Sequence, residues 1–226
     1  MTGIVFIGEH CFDLVISAAG ILAKMGHILS IIDASLTGEL FSVLSGYGGR
    51  TERVLSFRQT DYILCNKQEE LKEFLLLSCQ KSLAKQWIYT DIKGFLQQRE
   101  MYKEYKKIVF ADSFFHSIKD MLSFVKQKEF YAELLILRGL PTKKITFSYL
   151  CRVYQKEFQV FKEILELPWA EEDLEYRVRL EYEPSQGFSK LSEGYHSAVV
   201  QICMEAEEYK GVELKKIFRT FEKNTR

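Results

Sequence analysis

Proline is scarce, with three residues in 226. Proline-rich and glycine-rich runs are the usual marks of a linker, so one domain over 1–226 without a flexible joint is expected. Cysteine occurs five times, at Cys11, Cys65, Cys79, Cys151 and Cys203, and no pair has Cys-x-x-Cys spacing. That removes the common zinc and dithiol signatures, and an odd, scattered set suits a reducing cytoplasm. Neither charge is in excess, since Lys+Arg and Asp+Glu are both 31. The chain therefore lacks the overall basic field that non-specific nucleic-acid binding draws on, and any such contact must come from a local patch. No basic stretch precedes the first apolar run and Asp13 interrupts it, so neither a signal peptide nor a membrane-spanning helix is expected.

What the chain does have is a repeated exchange of apolar strands and amphipathic helices. The clearest unit is 4–35, IVFIGEHCFDLVISAAGILAKMGHILSIIDAS. An apolar strand (4–7) meets Gly8, the loop Glu9-His10-Cys11-Phe12 follows, and a small-residue helix (13–25) closes at Gly26. A second apolar strand (28–32) then ends on Asp33. Glycine tolerates the left-handed conformation that ends helices. In parallel α/β proteins the loop between first strand and first helix is where phosphates are held.

Further strands are expected at 53–57, 61–65, 86–90, 107–111, 132–137 and 158–165, with helices at 68–84, 95–105, 114–128 and 145–154. Gly46-Tyr47-Gly48-Gly49 reads as a loop, and Asp91–Gly94 as a tight turn. This alternation predicts a three-layer α/β fold around a mainly parallel sheet. The strand ends bearing Gly8, Asp33, Asp91, Asp112 and Gly139 would share one edge, where ligands bind in such sheets. Aspartates there also serve as helix caps, which is the preferred reading of Asp112-Ser113.

The last third differs. Residues 170–175 are acidic and 177–182 alternate. A helix is expected over 190–207, with Tyr195, Val199, Ile202 and Cys203 on its buried side and His196 beside it. His27 reads as a strand-edge surface residue. In 212–226, Leu214, Ile217, Phe218 and Phe221 recur at helical spacing among Lys215, Lys216, Arg219, Lys223 and Arg226. Such a basic amphipathic helix either docks on its own domain or lies on an anionic membrane.

Taken together, these residues resemble the ParA/MinD family of P-loop ATPases with a deviant Walker A motif, over most of the chain. Aligned on Gly26, Leu14 and Ala23 fall on typical family residues. The family's signature lysine falls on Cys11, its magnesium-binding threonine on Phe12 and its deviant lysine on Phe6. Gly8 retains one loop glycine and His10 replaces another. Asp33 matches the acid after the second strand. Asp91 and Gly94 match the D-x-x-G of the Walker B and switch segment. Leu137-Arg138 stands at the Asn-Arg position, and Leu167-Pro168-Trp169 is similar to the late Ile-Pro segment near the adenine.

A P-loop holds triphosphate with backbone N–H groups, a lysine and a Mg²⁺-binding hydroxyl. This loop has no lysine and no hydroxyl before Ser17. Glu9 and Asp13 add two acids that would repel about four phosphate charges. ATP hydrolysis by the family mechanism is therefore not expected, nor is any cofactor, and Asp33 and Asp91 would remain as caps. The resemblance implies a degenerate member like the TadZ/CpaE localisation factors of pili and secretion machines. Such a member acts through a protein partner and pairs across its loop face. The alternatives are an ATP/Mg²⁺-binding enzyme whose lysine comes from elsewhere, such as Lys93 or Lys143, and a membrane-peripheral adaptor using 212–226. A thiol enzyme based on Cys11 ranks last, because Glu9 and Asp13 oppose a thiolate.

Overall fold

The computed structural model describes residues 3–45, 53–65, 67–81, 85–112, 115–126, 130–139, 146–182 and 191–206. In chain order the elements are β1 (Ile4–Ile7), α1 (Phe12–Lys24), β2 (Leu29–Asp33), α2 (Glu39–Ser45), β3 (Val54–Phe57), β4 (Thr60–Leu64), α3 (Gln68–Lys81) and β5 (Lys85–Thr90). Then come α4 (Ile92–Gln97), a 3-10 turn (Arg99–Tyr102), β6 (Lys106–Asp112), α5 (Phe115–Val125), β7 (Ala132–Arg138), α6 (Phe147–Val153), α7 (Gln155–Phe158), β8 (Phe161–Leu167), α8 (Glu171–Tyr182) and α9 (Glu193–Ala206).

The strands form one eight-stranded sheet in the order β3-β4-β2-β5-β1-β6-β7-β8. Every neighbouring pair is parallel except β3 with β4. That pair is a hairpin whose turn residues, Arg58 and Gln59, both have positive φ, the conformation that matches the twist of two-residue hairpins. The expected α/β architecture is therefore present, with one antiparallel edge.

The central strands are buried on both faces, which is why they read as continuous apolar runs. Ile4 and Phe6 join Trp87, Tyr89, Ile108 and Phe110 in the core beneath α1, α8 and α9. Val5 and Ile7 join Ile88, Val109 and Leu135 in the opposite core beneath α3, α4 and α5. Two packed layers on a period-two strand follow from the alternation of side chains across the pleat. The buried side of α9 holds Tyr195, Val199, Ile202 and Cys203 as expected.

Three expectations are corrected. Asp91–Gly94 is not a tight turn: Asp91 caps α4, accepting the Gly94 N–H at 2.7 Å. The helix expected over 95–105 is split between α4 and the 3-10 turn. The strand expected over 158–165 starts later, because 155–158 form α7. The alternating 177–182, to which no element was assigned, belong to helix α8. Gly46–Gly49, Ser113, Lys143 and the 212–226 segment lie outside the described residues.

Candidate functional site

β1 delivers the chain to the carboxyl edge of the sheet between β5 and β6. Gly8 follows with φ 151°, and a Cβ there would stand 2.7 Å from the Phe110 carbonyl oxygen. His10 has φ 59°, and Cys11 is the N-cap of α1 without a side-chain cap hydrogen bond. The loop then folds inward. Cys11, Phe12 and Asp13 are all buried, while Glu9 and His10 remain exposed.

Asp13 is 1% exposed, so its carboxylate needs a partner. Arg138, at the end of β7, supplies it. Its Nη2 donates to Asp13 Oδ1 at 3.1 Å and Oδ2 at 2.9 Å, and its Nη1 donates to the His10 carbonyl at 3.4 Å. One guanidinium thus clamps both ends of the loop. The expectation of an uncompensated acid at Asp13 is corrected by this pair. Arg177 from α8 sits over the Phe12 ring, 5.8 Å from its centroid, within cation–π range.

The other side of the loop is tied to α2. His10 Nδ1 lies 2.7 Å from Glu39 Oε1, and the His10 main-chain N–H donates to Glu39 Oε2 at 3.1 Å. Tyr89 O–H donates to the same Oε2 at 2.6 Å. The hydrogen bond to Glu39 raises the His10 pKa above its usual 6.5. Burial works to raise that of Glu39, but the hydrogen bonds from His10 and Tyr89 outweigh it, leaving the carboxyl below its usual 4.5.

A raised histidine contributes stability that is fully present below about pH 6.5 and is lost as pH climbs through its folded value. A depressed carboxyl contributes above about pH 4.5 and fades as pH falls through its folded value. The tie is therefore strongest between those limits. His10 is expected to titrate above 6.5 by NMR, and Glu39→Gln to move it down towards 6.5. An unchanged His10 titration in that variant contradicts the contact.

Cys11 is an unpromising nucleophile. Burial pushes its thiol pKa well up, and Glu39 and Asp13 push it further. Its Sγ faces the Gly8 carbonyl at 3.8 Å.

Asp33 and Asp91 are held by their own neighbours. Asp33 Oδ1 accepts the Ser35 N–H at 3.0 Å and its hydroxyl at 2.5 Å, and Oδ2 accepts the Phe41 N–H at 2.8 Å. Burial pushes its carboxyl up to about 6 against those donors. Asp91 accepts Gly94 N–H and, through Oδ2, Leu36 N–H at 2.6 Å. Ser17, the first hydroxyl after the loop, lies 3.1 Å from both Tyr176 and Tyr195 hydroxyls beneath α1. Lys93 is exposed on α4. Asp112 offers its main-chain N–H to Ser117 Oγ at 3.0 Å.

Beyond Arg138 the edge opens into a cleft of about 290 Å³, lined by Asp112, Gly139, Leu167, Pro168, Trp169 and Leu174 among others. That volume is at the lower end of small-molecule sites. On the loop side of Arg138 a cavity of only about 10 Å³ remains, between Glu9, Cys11 and Asp112, roughly the room for one water.

The structure thus gathers Gly8, Cys11, Asp13 and Arg138 at one point, with Pro168 across the cleft. Asp33 and Asp91 are joined through the Ser35-Leu36 turn. Sequence reading missed Glu39, Tyr89 and Arg177. Glu39 merely opens a weak helix, Tyr89 sits in an apolar strand, and Arg177 opens a stretch that simply alternates, so no local signal marked them.

Solved structures share this fold. A ParA family ATPase from Chlorobium tepidum TLS matches with TM-score 0.58 and 13% identity over 90% of this chain and 99% of that one. A putative plasmid partition protein from Borrelia burgdorferi B31, solved with AMPPNP, matches with TM-score 0.56 and 13% identity over 91% and 99%. The MinC:MinD cell division protein complex of Aquifex aeolicus gives 0.53 and 13% over 97% and 96%. No family model and no curated protein matches the chain. The chain therefore has the ParA/MinD-type P-loop fold. Among the described residues no helix is long and apolar enough to cross a membrane.

Proposed function

We propose that this chain is a ParA/MinD-type partitioning or positioning protein that works through protein contacts and does not hydrolyse ATP. The observation that carries the reading is the Asp13–Arg138 pair beneath a loop whose Cys11 and Phe12 are buried. Magnesium triphosphate does not fit these residues. Its anionic end would meet Asp13 already holding the nearest guanidinium, with no lysine and no hydroxyl on the loop to take over. On this reading Asp33 and Asp91 keep their places as loop and helix caps, and the loop face is a contact surface through which copies can pair without nucleotide. Localisation or assembly of a machine such as a pilus or secretion system is the role that the TadZ/CpaE resemblance suggests. Titration calorimetry with ATP and Mg²⁺ is the test. No saturable heat is expected up to about 1 mM nucleotide, and a micromolar Kd overturns the reading.

A second reading, nucleotide binding by a rearranged site, draws on the cleft beside Arg138, Pro168 and Trp169. The same titration separates the two. The membrane-adaptor reading rests on the 212–226 sequence pattern, and vesicle co-sedimentation decides it.

A further inference from the structure

The last residues of β6, β7 and β8 lie side by side: Asp112 pairs with Arg138, and Arg138 with Leu167. Register partners on neighbouring strands project to the same face of a sheet. On that face Leu167 packs in the core that also holds Tyr176 and Leu180 of α8. The cleft of about 290 Å³ lies where the start of α8 meets these strand ends, walled by Leu167, Trp169 and Leu174. Its charged side chains are Asp112, Arg138, Asp173 and Arg177, two of each sign.

Two of the four are already engaged. Arg138 holds Asp13. Asp173 accepts the Ser192 N–H at 2.8 Å and its hydroxyl at 2.6 Å. The other two are not. Arg177 has only the face of the Phe12 ring, and the hydrogen bond of Asp112 to Ser117 uses its main-chain N–H. Among the described residues no donor reaches the Asp112 carboxylate, no acceptor reaches the Arg177 guanidinium, and the two do not pair with each other. They are nonetheless close enough to feel one another. Burial raises the Asp112 pKa, and the charges of Arg138 and Arg177 pull it back. The cleft thus presents one half-buried anion and one half-buried cation, separate and without hydrogen-bond partners, beside an apolar wall.

We propose that the cleft binds a free α-amino acid with a large apolar side chain, its carboxylate on Arg177, its ammonium on Asp112 and its side chain against Leu167, Trp169 and Leu174. A zwitterion carries its two charges on neighbouring groups, so it can bridge two opposite charges that stand too far apart to pair directly. Both contacts are charge-assisted hydrogen bonds, the stronger kind. A polyanion such as triphosphate gains little where the lining charges balance. A neutral nucleobase offers a donor and an acceptor but leaves both half-buried charges uncompensated. The cleft volume suits a small ligand. The proposal does not rest on the partitioning or positioning role, and the titration with ATP and Mg²⁺ bears on that role alone.

The test is titration calorimetry on the full chain with L-phenylalanine, for which a Kd of about 100 µM is expected of so small a ligand. Phenethylamine lacks the carboxylate and 3-phenylpropionate lacks the ammonium, and each is expected to bind about tenfold more weakly. Arg177→Gln is expected to weaken L-phenylalanine about tenfold while leaving phenethylamine as in the wild type. Asp112→Asn is expected to weaken L-phenylalanine to a similar degree while leaving 3-phenylpropionate no weaker. Circular dichroism checks that each variant is folded, and the three ligands on the wild type decide the matter if one is not. No saturable heat with L-phenylalanine or L-leucine up to about 10 mM overturns the proposal. So does either analogue binding as tightly as L-phenylalanine, or a folded variant that loses all three ligands alike. Adenosine binding more tightly than L-phenylalanine also overturns it and assigns the cleft to a base.

Discussion

Truncating Arg138 to alanine is expected to lower the unfolding free energy by about 3 kcal/mol, among the larger effects a single change in this chain would have. Removing one member of a buried ion pair leaves the other charge desolvated and alone, which costs roughly 3–5 kcal/mol in buried sites. The lower figure applies because the Arg138 side chain is 21% exposed while that of Asp13 is 1% exposed. Urea denaturation of Arg138→Ala, Asp13→Ala and the double variant forms a complete cycle. The coupling between the two positions should be about 3 kcal/mol, the whole cost of Arg138→Ala, with the double variant close to Asp13→Ala alone. Lysine at 138 should recover only part of the loss, since one ammonium cannot span the carboxylate and the His10 carbonyl as the guanidinium does. Strict additivity of the two alanine changes would show that the pair is not what holds the loop.

A change at Gly8 should cost about as much. Alanine there puts a Cβ 2.7 Å from the Phe110 carbonyl oxygen and 2.9 Å from its Cβ, at φ 151°. An unfavourable φ costs about 1–3 kcal/mol, and overpacking against backbone adds a similar amount. A loss of about 3 kcal/mol lowers Tm by roughly 10 °C in a chain of this length, readable by circular dichroism. A Tm within about 2 °C of wild type would show that β1 and β6 can separate there at little cost. This expectation gives the one retained loop glycine a reason that involves no phosphate: it lets β1 leave the sheet against the backbone of β6.

These two residues also show what the sequence made legible. The β1–α1–β2 unit stood out because its strands are buried on both faces and its helix is small-sided, so burial is written into local composition. Gly8 was visible for the same reason, although its steric neighbour was not. Arg138 was visible only as a family position. Its partner lies 125 residues away, and no local pattern encodes a pairing across that separation. The stretch from 174 to 182 was left without an element for a definite physical reason. Its apolar residues fall at 174, 176, 178, 180 and 182, the period of a half-buried strand. In fact two helical sets are interleaved, Tyr176 and Leu180 facing in and Leu174, Val178 and Tyr182 facing out. A helix with both faces apolar mimics a strand, and only the third dimension separates the two.

The strand order has a consequence for how the chain comes to be folded. β1 and β2 are joined by a single helix, yet β5 lies between them. Neither can complete its ladder until residues 85–90 arrive, and β1 must also wait for β6 on its other side. During synthesis the first third of the chain therefore emerges with two strongly apolar strands whose inner edges are unpaired. Closing loops of this length before the contacts form slows folding, and open strand edges invite pairing with other chains. The same insertion that places the loop at the centre of the sheet thus makes the nascent N-terminal third dependent on holding its apolar strands apart until β5 has been made.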